Sequence, residues 1–266
     1  MEDALDDIQF LANSENRIRV LRSLADGTTS RRELQDETGV PRSSVARVLE
    51  RAETRGWVDS TGSRYSLTRT GEVMIAEIRR TIAATRGIRH LGPAVEWLPD
   101  PVETLDFRHL RDARITTPTE ANPTAAFDRG LELIRDASVY RGLTQNSLPE
   151  YMKVVTDLVG RGELDFEGVV EAAFLDVLRE DPDRAEVWTP IVDRMWVYDG
   201  EVPINMHILD ETVAIWLCAP DRDGADVLVK GLLETDDASV FAWAESIYAE
   251  YVDGAVPLTT QAFPTA

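Results

Sequence analysis

SRRELQDETGVPRSSVARVLERAETRG (residues 30–56) reads as two short helices separated by a tight turn. Ser30 and Glu33 fit the S-x-x-E capping box, in which each side chain satisfies an orphan backbone N–H at a helix start. Leu34 faces inward, Gly39 supplies the permissive backbone of the turn, and Pro41 suits the first turn of the second helix, where its missing N–H costs nothing. In that second helix Val45, Val48, Leu49 and Ala52 recur at i, i+3, i+4 and i+7, the apolar stripe of an amphipathic helix. The opposite side carries Ser43, Ser44, Arg47 and Arg51, with Arg42 at the N-terminal end and Arg55 at the exit. This is the layout of a helix-turn-helix, whose second helix presents its N-terminal half to base edges in the major groove.

Working outward, Gly56-Trp57-Val58-Asp59-Ser60 and Arg64-Tyr65-Ser66-Leu67-Thr68 alternate around Thr61-Gly62-Ser63 and predict a β-hairpin. Upstream, Leu5 to Ala12 is a short acidic amphipathic lead-in. Asn13-Ser14-Glu15-Asn16 offers caps for a helix carrying Ile18, Val20, Leu21 and Leu24, which Gly27 ends, and Thr28 and Thr29 form the next turn. Two helices and a hairpin make a winged helix. Through ELQDETGVPRSSVARVLERAETRGWV and the wing YSLTRTG the sequence resembles archaeal winged-helix transcription regulators. After the wing, residues from Thr70 to about Leu91 predict a long helix, either a connector or a dimerisation helix. Gly92-Pro93 and Leu98-Pro99-Asp100-Pro101 then break the pattern. The expected organisation is a winged helix-turn-helix over 1–70, a connecting or dimerisation helix over 71–92, and an α/β effector or regulatory domain over 93–266.

Beyond that break, strands are predicted at 113–117, 138–143, 164–170, 195–198, 204–209, 212–218 and 227–232. Helices are predicted at 127–135, from a Ser147/Glu150 capping box to about 161, at 172–179 and at 238–252. Strands alternating with helices and closing in an antiparallel pair point to a mixed sheet, so the fold class is α+β with two domains. Ala113–Pro118 with Asn122-Pro123, Tyr140-Arg141-Gly142-Leu143, Val197-Tyr198-Asp199-Gly200 with Pro203, the 208–213 hairpin and Leu233–Asp237 resemble the C-terminal domain of regulators similar to the methanogenesis regulatory protein. That resemblance implies a phospholipase D-like fold. The catalytic pattern of such a fold, H-x-K-x4-D, is missing: counted from His207, its later positions hold Leu209 and Ala214, and His90 and His109 fit it no better.

Charge sharpens the functional reading. The 266 residues hold 28 Lys/Arg and 48 Asp/Glu, a net charge of −20. Residues 1–90 contain 15 Arg and 14 Asp/Glu, and the rest 13 Lys/Arg and 34 Asp/Glu, so the two parts carry +1 and −21. The acid is therefore concentrated outside the helix-turn-helix half, and a near-neutral domain with arginines on one face can approach phosphates. Only two lysines, Lys153 and Lys230, stand beside 26 arginines. Such an acidic, lysine-poor composition resembles proteins of salt-in halophilic archaea. No apolar run of about 18 residues and no signal peptide is present, so a cytoplasmic protein with no membrane partner is expected. The single cysteine, Cys218, excludes an intramolecular disulfide and a cysteine-built zinc site, and its run VAIWLC marks a buried thiol.

No nucleotide-binding glycine loop, nucleophile elbow or H-E-x-x-H zinc motif occurs. No enzyme, cofactor or metal is expected, and the acidic clusters at 180–183 and 221–223 read as solvated turns. The expected function is a sequence-specific transcription regulator, homodimeric, with double-stranded DNA as partner. Arg42, Ser43, Ser44 and Arg47 would read bases or nearby phosphates, while Arg31, Arg32, Arg51 and Arg64 would hold the backbone. The α/β domain serves either ligand sensing or assembly, and a small-molecule effector, if it binds one, is expected at strand ends, with Thr144, Gln145, Asn146 and Ser147 after one strand and Thr116, Thr117 and Asn122 after another. Trp188, Trp196 and Trp216 either wall that pocket or fill the core. The alternatives are a winged helix that binds protein, and an α/β enzyme tethered to DNA.

The −21 part also carries an expectation about salt. Its carboxylates repel one another in dilute buffer, and the Debye length falls to about 3 Å at 1 M salt. Dilution from molar to millimolar KCl should lower the melting temperature, measured by calorimetry, and equal stability across that range would refute the halophilic reading.

Overall fold

The computed structural model describes residues 2–27, 29–145, 148–220 and 227–259. The chain forms two compact units, Met1–Ala83 and Ala84–Ala266, each with its own hydrophobic core. The first contains α1 (Glu2–Ala12), α2 (Glu15–Leu24), β1 (Thr29–Ser30), α3 (Arg31–Thr38), α4 (Arg42–Thr54), β2 (Val58–Thr61) and β3 (Arg64–Leu67), then enters α5 (Arg69–Leu91). A three-stranded sheet of order β1-β3-β2 completes it. This is a winged helix.

Local chemistry explains the helix boundaries. The capping box forms: Ser30 N–H donates to Glu33 Oε2 at 2.7 Å, and Glu33 N–H donates to Ser30 Oγ at 3.3 Å. The Ser30 backbone N–H, then the Ser30 side chain and the Thr29 hydroxyl, hydrogen-bond the Glu33 carboxyl and hold it well below its usual range, at about 2. Gly39, at φ 69°, closes α3 in the left-handed conformation that a side chain resists. Val45, Val48, Leu49 and Ala52 are all buried against Val20, Leu21, Leu24 and Leu34, and each large aliphatic side chain contributes about 1.5–3 kcal/mol by leaving water. Thr28 lies outside the described residues. The two residues after it pair with β3, Thr29 opposite Tyr65 and Ser30 opposite Arg64, an edge too short for any alternation to announce it.

The acidic lead-in is a full helix with a core role. Phe10 and Leu11 are buried, and the Phe10 ring centre lies 5.8 Å from that of Trp57. Arg55, only 15% exposed, ties α1 to the end of α4 through ion pairs with Asp6 and, at 3.0 Å, Asp7.

The second unit begins within α5, at Ala84, and continues through 3₁₀ turns over 92–97, 100–104 and 107–110. It contains β4 (Arg114–Thr116), α6 (Ala125–Asp136), β5 (Val139–Thr144), α7 (Pro149–Gly160), β6 (Asp165–Glu171), α8 (Ala172–Glu180), α9 (Pro182–Trp188), β7 (Met195–Tyr198), β8 (Met206–Leu209), β9 (Thr212–Pro220), β10 (Val227–Thr235), α10 (Ala238–Asp253) and β11 (Ala255–Pro257). One mixed sheet runs β11-β7-β6-β5-β8-β9-β10-β4, and its β5, β6 and β7 are parallel while the remaining pairs are antiparallel. Alternating residues feed two cores. Tyr140, Phe166, Leu209 and Trp216 pack with residues of α6 to α9, and Leu143, Val169, Ile208 and Val213 pack with residues of α10. Trp188 and Trp216 join the first core and Trp196 the second, so the three tryptophans do not wall one pocket. Helix α7 has Leu148, not Ser147, at its N-cap, and α9 and β11 carry too few residues to show a period.

The wing is fastened to its neighbours through Thr68. Its N–H donates to Trp57 O at 2.9 Å, its hydroxyl donates to Gly56 O at 2.7 Å, and that same hydroxyl oxygen accepts the Gly71 N–H at 3.1 Å. Gly71 lies so close to this corner that a Cβ there would stand 2.1 Å from Trp57 O. Alanine would gain about 1 kcal/mol of helix propensity at that position, yet the obstacle is backbone and cannot rotate away. Gly71→Ala should therefore destabilise the winged helix by about 1–3 kcal/mol, the range of overpacking. Amide hydrogen exchange within α3 and α4 under increasing denaturant checks the sign, and a stabilised variant would contradict the packing described.

Candidate nucleic-acid interface

The rotation of α4 is set by its buried stripe, so the other side must face out. Arg42, Ser43, Arg47 and Arg51 are exposed and Ser44 is half-buried. Pro41, the N-cap, offers no side-chain oxygen, and no acidic residue occupies the first turn. Ser44 and Val45 donate their N–H groups to Pro41 O, so the N–H groups of Arg42 and Ser43 point out of the helix start with its positive dipole end, a setting that attracts phosphate oxygens. Arg31 opens α3, and its guanidinium carbon lies 5.1 Å from the Tyr65 ring centre. Arg32 stands 3.9 Å from Asp36, both strongly exposed, and Arg64 of the wing stands 3.9 Å from Glu33.

Among the described residues, Arg31, Arg42, Arg47 and Arg51 have no carboxylate partner, whereas most arginines of the chain, such as Arg19, Arg55, Arg69 and Arg80, hold one. With 48 acidic residues against 28 basic ones, carboxylates are plentiful. Even so, the exposed arginines of α4 stay out of ion pairs, although Glu50 is exposed on the same helix and Asp36 and Glu33 of α3 stand 3.9 Å from Arg32 and Arg64. The structure brings Arg42, Ser43, Ser44, Arg47 and Arg51 onto one helix. It adds Arg17 of α2, which sequence reading overlooked because the contact joins positions 34 residues apart: its guanidinium faces the same Phe10 ring as that of Arg51.

The effector candidates lie in the second unit. Thr144 ends β5, where its hydroxyl donates to Asn205 Oδ1, and half-buried Gln145 follows. Asn146 and Ser147 lie outside the described residues. Thr116 pairs with Leu232, Leu232 with Trp216, and Trp216 N–H donates to Asn205 O. Thr116 and Thr144 thus share one row across the sheet, yet four strand spacings, about 19 Å, separate them. They do not form one small site. Asn122 is occupied locally: its side chain accepts from Thr124 N–H and hydroxyl and donates to Asp128.

His207 is the buried histidine of this unit. Cross-strand neighbours Gly142 and Ala214 give it no cation or carboxylate partner, and Trp216 Nε1–H donates to its Nε2 at 3.3 Å. Burial pushes its pKa down to about 4, so the ring is neutral at physiological pH. Among the described residues no group of three or more His, Cys, Asp or Glu is placed to hold a metal ion, and no helix is long and apolar enough to cross a membrane.

Residues 5–89 match the family model described as the HVO_A0261 N-terminal domain, and residues 123–254 match that of the methanogenesis regulatory protein FilR1, middle domain. No curated protein matches the chain. Among solved structures, the archaeal chromatin protein TrmBL2, described as showing a novel mode of DNA binding, is 14% identical at a TM-score of 0.41, over 97% of this chain and 100% of that one. NucT from Helicobacter pylori is 11% identical at 0.41, over 55% of this chain and 99% of its own. The phospholipase D family member Nuc from Salmonella typhimurium is 13% identical at 0.42, over 55% of this chain and 96% of its own.

The neutral state of His207 has a measurable consequence. Its folded pKa of about 4 lies below the ordinary 6.5, so the unfolded chain binds the proton more readily. The stabilisation is complete above about pH 6.5 and is lost as pH falls towards 4, by on the order of 3 kcal/mol. His207→Gln, which can still accept from Trp216, should flatten the stability profile in that window. An unchanged acid limb in denaturant titrations would show that the ring is protonated or solvated in the folded state.

Proposed function

We propose that this chain, which joins a domain of the HVO_A0261 N-terminal type to one of the FilR1 middle type, is a sequence-specific DNA-binding transcription regulator. It acts in the cytoplasm as a homodimer, and its second unit senses a small molecule or mediates assembly without catalysing a reaction. The observation that carries this reading is the exposed face of α4, where Arg42, Arg47 and Arg51 stand without a carboxylate partner in a chain of net charge −20 although Glu50 is exposed on the same helix. The family description of the second domain as part of a regulatory protein supports it.

In this reading Arg42, Ser43, Ser44 and Arg47 meet base edges, and an arginine there can pair bidentately with guanine O6 and N7. Arg31, Arg32, Arg51 and Arg64 hold the phosphates. The exposed partners of Arg32 and Arg64, each 3.9 Å away, are weak enough for a phosphate to replace them. Two-fold operators match two-fold proteins, which is the reason for a homodimer. In this reading an effector would sit after β5, at Thr144, Gln145, Asn146 and Ser147, with Thr116, Thr117 and Asn122, which follow β4, as the other candidates. An effector acts there only by binding two conformations with different affinity.

Selection from random duplexes in molar KCl, followed by gel-shift titration, tests the proposal. A symmetric enriched site is expected, and Arg47→Ala should lower the preference for it over scrambled DNA by about 1–3 kcal/mol. Selection without enrichment would overturn the DNA reading in favour of a protein partner. An enriched site bound equally well by Arg47→Ala would remove Arg47 from the recognition surface.

A further inference from the structure

Three guanidinium groups converge on one aromatic ring in the first unit. The guanidinium carbons of Arg55, Arg17 and Arg51 lie 4.4, 4.7 and 5.1 Å from the centre of Phe10. The attraction of cations to the face of an aromatic ring accounts for their approach to it. It does not account for their approach to one another. Arg55 is balanced, since Asp6 and Asp7 both pair with it. Arg17 and Arg51 have no carboxylate partner among the described residues, although Arg17 Nη1 donates to Phe10 O. Burial, and next the charges of Arg51 and Arg55, push the Arg17 pKa down, which is the mark of a cation held among cations.

Position gives this cluster a use. Arg51 follows Arg47 by one helical turn on α4, so it prolongs the stripe that carries the recognition arginines. Arg17 of α2 lies over the same Phe10 ring as Arg51 and close enough for the two charges to interact. We propose that Arg17 and Arg51, held by Phe10, form a clamp for a backbone phosphate of the duplex whose major groove α4 enters; this rests on the DNA-binding reading. The guanidinium edges supply fixed N–H donors matched to phosphate oxygens. The clamp carries no base information, so it adds affinity and register to every sequence alike.

The experiment measures how affinity for a mixed-sequence duplex depends on KCl, using the full chain. Arg17→Gln and Arg51→Gln should each make the slope of log K against log salt shallower, by about 0.9 for each phosphate no longer neutralised. Each should also weaken binding to selected and scrambled DNA by the same factor. Arg17→Lys, which keeps the charge, should retain the slope. Melting curves guard against misfolding, and Arg51→Gln, at an exposed side chain, keeps the test open if Arg17→Gln unfolds. Unchanged slopes in variants of a chain that binds DNA would overturn the clamp alone. Slopes lowered equally by Gln and Lys would assign Arg17 to packing and overturn it too. A wild-type chain that binds no duplex would remove both the clamp and the DNA reading. Inorganic phosphate at matched ionic strength supplies a last arm: if it protects Arg17 from a guanidinium-modifying dicarbonyl while the duplex does not, the site takes free anion, contrary to the proposal.

Discussion

Val45, Val48, Leu49 and Ala52 fix α4 about its own axis. Burying that stripe against Leu34 and the residues of α2 leaves the helix one orientation in which its apolar face is dry. Once that orientation is set, Ser43, Arg47 and Arg51 have nowhere to point but outward. The capping box at Ser30 and Glu33 and the left-handed Gly39 set where α3 begins and ends, and hence the angle at which α4 leaves the turn. Thr68 and the close approach of Gly71 to Trp57 then fasten the wing beside it. The surface offered to a partner is thus a consequence of packing chemistry on its far side.

Electrostatics adds a second condition at that surface. Self-repulsion among 48 carboxylates favours spreading them and pairing each with any arginine in reach, and many arginines are so paired. On α4 the exposed arginines are not. Holding unpaired cations together on Phe10 and along one stripe costs free energy through their mutual repulsion. In concentrated salt, long-range attraction is screened to a few ångströms, which leaves short-range donors and shape to do the recognising. An α4 rich in arginine, in a unit devoid of lysine, suits that regime, because a planar guanidinium keeps its directional bonds when its diffuse charge is screened.

Much of this was legible in the sequence because it is local. The capping box, the glycine turn, the apolar stripe, the wing and the strand pattern of the second unit all depend on neighbours within a few residues. Meetings between distant positions were not legible. Phe10 meets Trp57 and gathers Arg17, Arg51 and Arg55, and no periodicity in the acidic lead-in announces that meeting. The two-residue β1 and three-residue β11 are strands by virtue of their partners alone. Strand order was equally hidden. Thr116 and Thr144 each follow a strand in the same way, yet the sheet sets them far apart along one row, and Asn122 commits its amide to its own turn. Side-chain type finds candidate ligand residues, but only topology says which of them can touch one molecule.

The central claim is that α4 reads DNA from the major groove, and methylation interference tests it most directly. Guanine N7 lies in the major groove and adenine N3 in the minor groove. A selected duplex carrying methyl groups at guanine N7 within the site should lose binding, with the blocked guanines falling opposite Arg42 to Arg47 in variants that remove them one at a time. Interference confined to adenine N3, or absent from both grooves while the duplex remains bound, would contradict the placement of α4.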